Sequence, residues 1–139
     1  MSDSARSASN PTVYVVDDDL VIREAVCLML EHSALHPEPY ASGEAFLEGY
    51  RPGRPGCLLI DLWMPGLSGL QVVRVLRHRH GDLPFIVLTG SASSSLREEA
   101  YSLGAVDFLE KPVDGERLLA CVRRALTVAA TATVSGPAA

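Results

Sequence analysis

Short unbroken apolar runs alternate with stretches in which apolar residues recur every three or four positions, and the alternation repeats five times along the 139 residues. Thr12–Val16 (TVYVV) is β-branched and aromatic and runs into Asp17-Asp18-Asp19, which predicts a strand. Leu20–His32 follows, with Ile22, Val26, Met29 and Leu30 on one helical face. A weaker strand is expected over Glu38–Ala41, then Ser42 as the cap of a short helix over Gly43–Gly49. Cys57–Ile60 (CLLI) reads as a buried strand, and Ser68 with Gln71 makes a capping box for a helix reaching Arg79. Phe85–Leu88 (FIVL) is the fourth strand and gives way to Thr89-Gly90. Ser95 with Glu98 offers a second capping box, opening a helix that Gly104 ends. Val106–Leu109 is the fifth strand, and Asp114 caps a last helix through Leu126.

Strands that are apolar at every position, rather than at alternate ones, belong to a parallel sheet covered on both faces. The expected fold is therefore α/β: a flavodoxin-like (βα)5, doubly wound, five-stranded parallel sheet. Right-handed crossovers restrict the layout, and the flavodoxin-like order 2-1-3-4-5 is a common five-stranded solution. In that order the first and third strands are neighbours, and ligands bind beyond the carboxyl ends of the strands. The stretches 1–11 and 129–139 are small and polar or small with Gly and Pro, and are expected to fray, leaving 12–128 as one domain.

Composition narrows the function. A net charge of −5 argues against a chain-wide attraction to nucleic acid or anionic lipid. No apolar run approaches a membrane span and the first residues lack the features of a signal peptide, so a cytoplasmic protein with no membrane partner is expected. Cys27, Cys57 and Cys121 each fall within apolar periodic segments and read as buried free thiols. Eleven of the twelve basic residues are arginine, which makes the one lysine, Lys111, stand out.

The predicted strand ends gather a distinctive set of groups. The first strand ends in Asp17 and Asp18, the third in Asp61, the fourth in Thr89, and the fifth is followed by Lys111. Clustered carboxylates repel, and a hard divalent cation such as Mg²⁺ relieves the repulsion while keeping waters and accepting phosphate oxygens. Asp18 and Asp61 are its most direct ligands in this scheme, Asp17 acts directly or through water, and Asp19 caps the next helix. With the cation in place, Asp61 can act as a nucleophile toward a phosphoryl group. Lys111 and Thr89 supply charge and a hydrogen bond to the phosphoryl oxygens, and the lack of a nearby base favours transfer over hydrolysis. A purely structural salt bridge between Asp61 and Lys111 would leave the acidic pair and Thr89 without a purpose.

Four segments, VYVVDDD, LLIDLWMPGLSG, IVLTG and GAVDFLEKPVD, resemble in order and spacing the receiver domains of bacterial two-component response regulators, over residues 12–126. The wording MPGLSG and FLEKP is most similar to the nitrogen-fixation, FixJ-like group. The resemblance implies that Asp61 is the phosphoacceptor, that Asp17 and Asp18 are the acidic pair, and that the backbone carbonyl of Trp63 is a further metal ligand. It implies that Thr89 and Lys111 contact the phosphoryl group, that Lys111-Pro112 is a cis peptide, and that Phe108 is the aromatic switch residue moving with Thr89. The implied donor is a sensor histidine kinase or a phosphotransfer protein. The implied output surface is the face of the fourth helix, fifth strand and fifth helix, through which a homodimer could form. A chain of this kind is a signalling domain rather than a turnover enzyme. FixJ-like regulators usually carry a C-terminal helix-turn-helix; the residues after Leu126 leave no room for one, so no direct nucleic-acid contact is expected, and the chain is either a single-domain regulator or the receiver part of a longer one.

Other readings bear on particular residues. Phe108 could serve only as a core aromatic, and the Trp63 indole could shield an acyl phosphate from water. His78 and His80 have a metal-like spacing but sit among arginines at a helix end, where positive charge is favourable. Arg97, Asp107, Arg123 and Arg124 form either a solvated face or an interface. A Mg²⁺-dependent phosphohydrolase would need an acid or base beside Asp61. A docking module with a vestigial site would not bind Mg²⁺, and a flavin-binding flavodoxin would need a first loop rich in Gly, Ser and Thr.

Overall fold

The five apolar runs form the strands β1 (Thr12–Val16), β2 (His36–Tyr40), β3 (Gly56–Ile60), β4 (Phe85–Thr89) and β5 (Asp107–Glu110) in a computed structural model that describes residues 10–91 and 93–135. The helices are α1 (Leu20–His32), α2 (Gly43–Gly49), α3 (Gly69–His80), α4 (Ser94–Ser102) and α5 (Gly115–Ser135). All strand pairs are parallel, in the order β2-β1-β3-β4-β5. The fold is the flavodoxin-like doubly wound sheet that the pattern predicts. Most of the expected tails, residues 1–9 and 136–139, lie outside the described residues. Among the described residues no helix is long and apolar enough to cross a membrane.

Period-two alternation sorts the strand residues between two apolar layers. Tyr14, Val16, Leu58, Ile60, Phe85, Val87 and Phe108 pack with Phe46 of α2 and with Leu70, Val73 and Leu76 of α3. Val13, Val15, Leu59, Ile86, Leu88 and Leu109 pack with Val26 and Leu30 of α1 and with Leu118 and Val122 of α5. Every residue of β1, β3 and β4 is buried, which is why those three strands read as unbroken apolar runs. Cys57 and Cys121 are buried and Cys27 half-buried, all as free thiols, and burial pushes the Cys57 thiol up to about 12.

Several boundaries differ from expectation for identifiable reasons. β2 begins two residues before Glu38 and includes Pro37 and Pro39, which a sheet edge tolerates because a missing N–H there costs no ladder bond. The cap of α4 is Ser93, whose hydroxyl accepts from the Leu96 amide at 3.2 Å, whereas Ser95 only hydrogen-bonds the Ser93 hydroxyl. A run of adjacent serines offers equivalent caps, and packing of the helix selects among them. α5 continues past Leu126 to Ser135, because no Gly or Pro interrupts the chain until Gly136-Pro137. α1 ends with Ala34 at a φ of 62°, where the Leu35 amide closes back on the Leu30 carbonyl at 2.9 Å.

β5 is an edge strand, and Asp107 ties it to both flanking helices. Its carboxylate accepts from the Tyr101 hydroxyl of α4 at 3.2 Å, from the Phe108 amide at 2.7 Å, and from the Cys121 thiol and Arg124 guanidinium of α5 at 3.1 and 2.8 Å. Burial alone would raise its pKa, but the donors led by Cys121 outweigh burial and hold the carboxyl below its ordinary 3.8. A carboxyl held low in the folded state contributes stability that is present above the ordinary value and lost as pH falls through the folded one.

Two tests follow from this packing. The stability difference between wild type and Asp107→Asn, read from urea unfolding midpoints, should be full at neutral pH and shrink below the ordinary value of 3.8; a difference constant down to the most acidic pH would contradict it. At the start of α3, a Cβ added to Gly69 would lie 2.3 Å from the Asp61 carbonyl oxygen. Gly69→Ala should therefore cost about 1–3 kcal/mol of unfolding free energy, measured in urea, as the helix is pushed off the β3 end.

Candidate functional site

Sheet order decides which strand ends meet. The Asp17 amide continues the β1 pairing onto the Tyr40 carbonyl at 3.2 Å, and the Asp61 amide donates to the Val16 carbonyl at 3.1 Å. These bonds hold Asp17 and Asp61 side by side at the carboxyl edge. On the far side, the Lys111 amide donates to the Thr89 carbonyl at 2.8 Å, which extends the β4–β5 pairing and directs the lysine toward the same edge.

The Lys111 ammonium bridges the two carboxylates, 2.8 Å from Asp17 Oδ2 and 3.2 Å from Asp61 Oδ2. The side chains are 16%, 5% and 8% exposed for Lys111, Asp17 and Asp61, so none could hold its charge there without its partners. Burial by itself would lower the lysine's pKa, but the hydrogen bonds and charges of Asp17 and Asp61 outweigh it and the net shift is upward. The remaining oxygens are also engaged. Asp17 Oδ1 accepts from the Asp19 amide at 2.9 Å, and Asp61 Oδ1 accepts from the Trp63 amide at 3.3 Å.

Asp18 is exposed, and with Asp17 and Asp61 it forms a group whose ligand oxygens all lie within 4.8 Å of one another. This donor set suits a hard cation: it is all oxygen, with two members held by the sheet and one facing solvent, where a partly hydrated ion can enter. Asp19 stands apart as the N-cap of α1, accepting from the Val21 and Ile22 amides at 3.0 and 3.3 Å.

Thr89 reaches the same edge but is turned elsewhere. It is fully buried, and its hydroxyl donates to the Ser91 carbonyl at 3.3 Å. The Trp63 indole N–H donates to that same carbonyl at 2.6 Å, so one acceptor links the loop after β3 with the loop after β4. Trp63 is otherwise half exposed over the edge, at 54%. The Lys111-Pro112 peptide is cis. Phe108 is buried at 1% exposure with the Arg97 guanidinium 4.8 Å from its ring centroid.

The other singled-out residues lie away from this edge. His78 and His80 are exposed at the end of α3, and the His80 ring meets Tyr50 at 5.4 Å. Among the described residues neither histidine belongs to a metal-capable group. Arg97 lies 3.9 Å from Glu110, Arg124 pairs with Asp107, and Arg123 has no ion pair among the described residues.

Three contributors had no sequence signal strong enough to find them. Ser91 acts through its carbonyl, which every residue carries. Arg23 donates to the Asp17 carbonyl at 2.6 Å, again a backbone target. Glu44 accepts from the Leu67 amide at 3.1 Å across 23 positions. Only the Arg23 position, one turn after the acidic run, could have hinted at its contact.

Comparison with known proteins agrees with this geometry. The family model described as response regulator receiver domain matches residues 13–123. The chain is 42% identical over 114 residues to the transcriptional regulatory protein FixJ of Azorhizobium caulinodans, covering 82% of this chain and 54% of that protein. It is 35% identical over 117 residues to the response regulator protein TodT of Pseudomonas putida, covering 84% of this chain and 52% of that one. The chain thus spans about half the length of these curated relatives. Among solved structures, the response regulator StyR aligns with a TM-score of 0.87 at 31% identity, covering 93% of this chain and 65% of StyR. The structure named FixJ-N aligns with a TM-score of 0.78 at 35% identity, covering 85% of this chain and 94% of that one. With its acidic strand ends bridged by Lys111 and its family model matched from Val13 to Arg123, this chain belongs to the response regulator receiver domain family of bacterial two-component systems.

Proposed function

We propose that Asp61 accepts a phosphoryl group from the phosphohistidine of a sensor histidine kinase or phosphotransfer protein. The observation that carries this reading is the Lys111 ammonium held between Asp17 and Asp61, with Asp18 beside them. One oxygen of the Asp61 carboxylate attacks phosphorus as the phosphorus–nitrogen bond breaks, and the electron pair leaves with the imidazole, which takes up a proton from solvent. No base is needed, because the nucleophile is already a carboxylate. Lys111, 3.2 Å from Asp61 Oδ2, would turn its charge to the phosphoryl oxygens, and Thr89 would join them by giving up the Ser91 carbonyl. Asp17, Asp18, Asp61 and the Trp63 carbonyl would hold Mg²⁺, which supplies positive charge to the transferred group.

The donor's resting surface is α1. Ile22, Ala25 and Met29 line one shallow cavity with Lys111, Pro112 and Val113, and Val21 and Leu28 are exposed apolar residues on the same helix at 74% and 56%. A donor helix laid there brings its phosphohistidine beside the acidic edge.

The response is a population shift on the α4–β5–α5 face. Phe108 is already inward here, so the movement assigned to this chain lies in Thr89, the Ser91 loop and α4, which Arg97 and Tyr101 tie to β5. That face is the reading for output and for a homodimer. The FixJ relatives are named as transcriptional regulators, and by that analogy this chain supplies the phosphorylation-controlled part of such a regulator.

Intact mass after incubation with Mg²⁺ and a small acyl-phosphate donor should show one phosphate adduct, lost in Asp61→Asn and in a chelator-treated sample. An adduct that persists in Asp61→Asn would sink the assignment. The indole's grip on Ser91 bears on how long the adduct lives. Trp63→Phe removes one hydrogen bond while keeping a ring, and should change the phosphoryl half-life by roughly fivefold, the kinetic equivalent of about 1 kcal/mol; an unchanged half-life would remove Trp63 from the mechanism.

A further inference from the structure

The segment between Met64 and Ser68 connects the Asp61 end of β3 to α3, and Leu67 packs against the core. Gly66 adopts a φ of +80°, and the Met64 side chain enters the core. Among the described residues, the hydrogen bond that fastens residues 64–67 to another element is the one from the Leu67 amide to Glu44 Oε2, at 3.1 Å. Glu44 sits in the first turn of α2.

A Cβ added to Gly66 would lie 2.4 Å from Glu44 Oε2, so the glycine leaves room for the end of this exposed side chain over the loop. One residue earlier in α2, a Cβ added to Gly43 would lie 2.2 Å from Val72 Cγ2, so the start of α2 is pressed against α3 by the absence of a side chain. Two glycines from distant parts of the chain thus clear the space in which Glu44 reaches the loop. Glu44 forms no ion pair among the described residues, and the loop amide is its hydrogen-bond partner.

We infer that Glu44 is a positioning residue for the metal-holding loop: it fixes residues 64–67, and through them the backbone of Trp63, whose amide donates to Asp61 Oδ1. The inference rests on the Mg²⁺ reading proposed above. It adds α2, and one carboxylate that touches neither metal nor phosphoryl group, to the determinants of metal affinity, in the way that groups behind a ligand set its orientation.

Amide NMR on the full chain tests it with two readouts, the hydrogen-exchange rate of the Leu67 amide without metal and a Mg²⁺ titration. Glu44→Ala should speed Leu67 exchange and weaken Mg²⁺ binding about tenfold. Glu44→Gln, whose amide oxygen can still accept, should keep both near wild type. Unchanged exchange or unchanged affinity in Glu44→Ala would overturn the inference while leaving the metal reading intact. A Glu44→Gln variant as impaired as Glu44→Ala would overturn it too, since charge rather than the hydrogen bond would then be acting. A wild-type chain that does not titrate with Mg²⁺ would overturn the metal reading and this inference with it.

Discussion

One ammonium shared by two buried carboxylates sets the terms for the rest of the structure. Asp17 and Asp61 end adjacent strands with side chains 5% and 8% exposed, where two neighbouring like charges are untenable alone. Lys111 comes from the far side of the sheet to neutralise them, and the β4–β5 pairing that carries it there is completed by its own amide on Thr89. The sheet order is thus a requirement of the site as much as a consequence of packing. In the function proposed above, the charge that stabilises Asp17 and Asp61 would also serve an incoming phosphoryl group.

Around that pair the loops are held by contacts to backbone atoms. Arg23 grips the Asp17 carbonyl, Glu44 the Leu67 amide, and Trp63 together with Thr89 the Ser91 carbonyl. Each is worth on the order of 1 kcal/mol net, enough to choose a loop conformation and small enough to be exchanged. The shared Ser91 carbonyl is the most consequential, because it joins the Thr89 hydroxyl at the end of β4 to the Trp63 indole after β3. In the proposed switch, release of Thr89 would therefore also disturb the Trp63 contact.

The α4–β5–α5 face is organised by a second charge centre. Asp107 collects donors from α4 and α5 across the edge strand, and Arg97 covers the buried Phe108 ring. A movement of α4 would have to rearrange these contacts, which is the route the proposed switch would take. Phe108, which the sequence offered as either switch or core, is buried in this structure, and its neighbours in α4 are what a signal would have to move.

By itself the sequence determined the fold class and the residues at the strand ends, because unbroken apolar runs, helical periodicity and caps such as Ser68 and Asp114 are local properties that survive without knowledge of the partner elements, whereas the strand order was only the common layout for such a chain until the pairing was seen. It also marked Asp17, Asp18, Asp61, Thr89 and Lys111, since charges and hydroxyls placed directly after buried strands are conspicuous. Where local signals were degenerate, as in the serine run before α4 or the proline-bearing β2, packing chose the boundary. Only the tertiary structure decided that Thr89 faces Ser91 rather than Asp61, that Lys111 spans both carboxylates, and that Glu44 and Arg23 steady the loops. Those contacts join residues far apart in the chain, often through backbone atoms that every residue carries, so no pattern of side chains along the sequence could encode them.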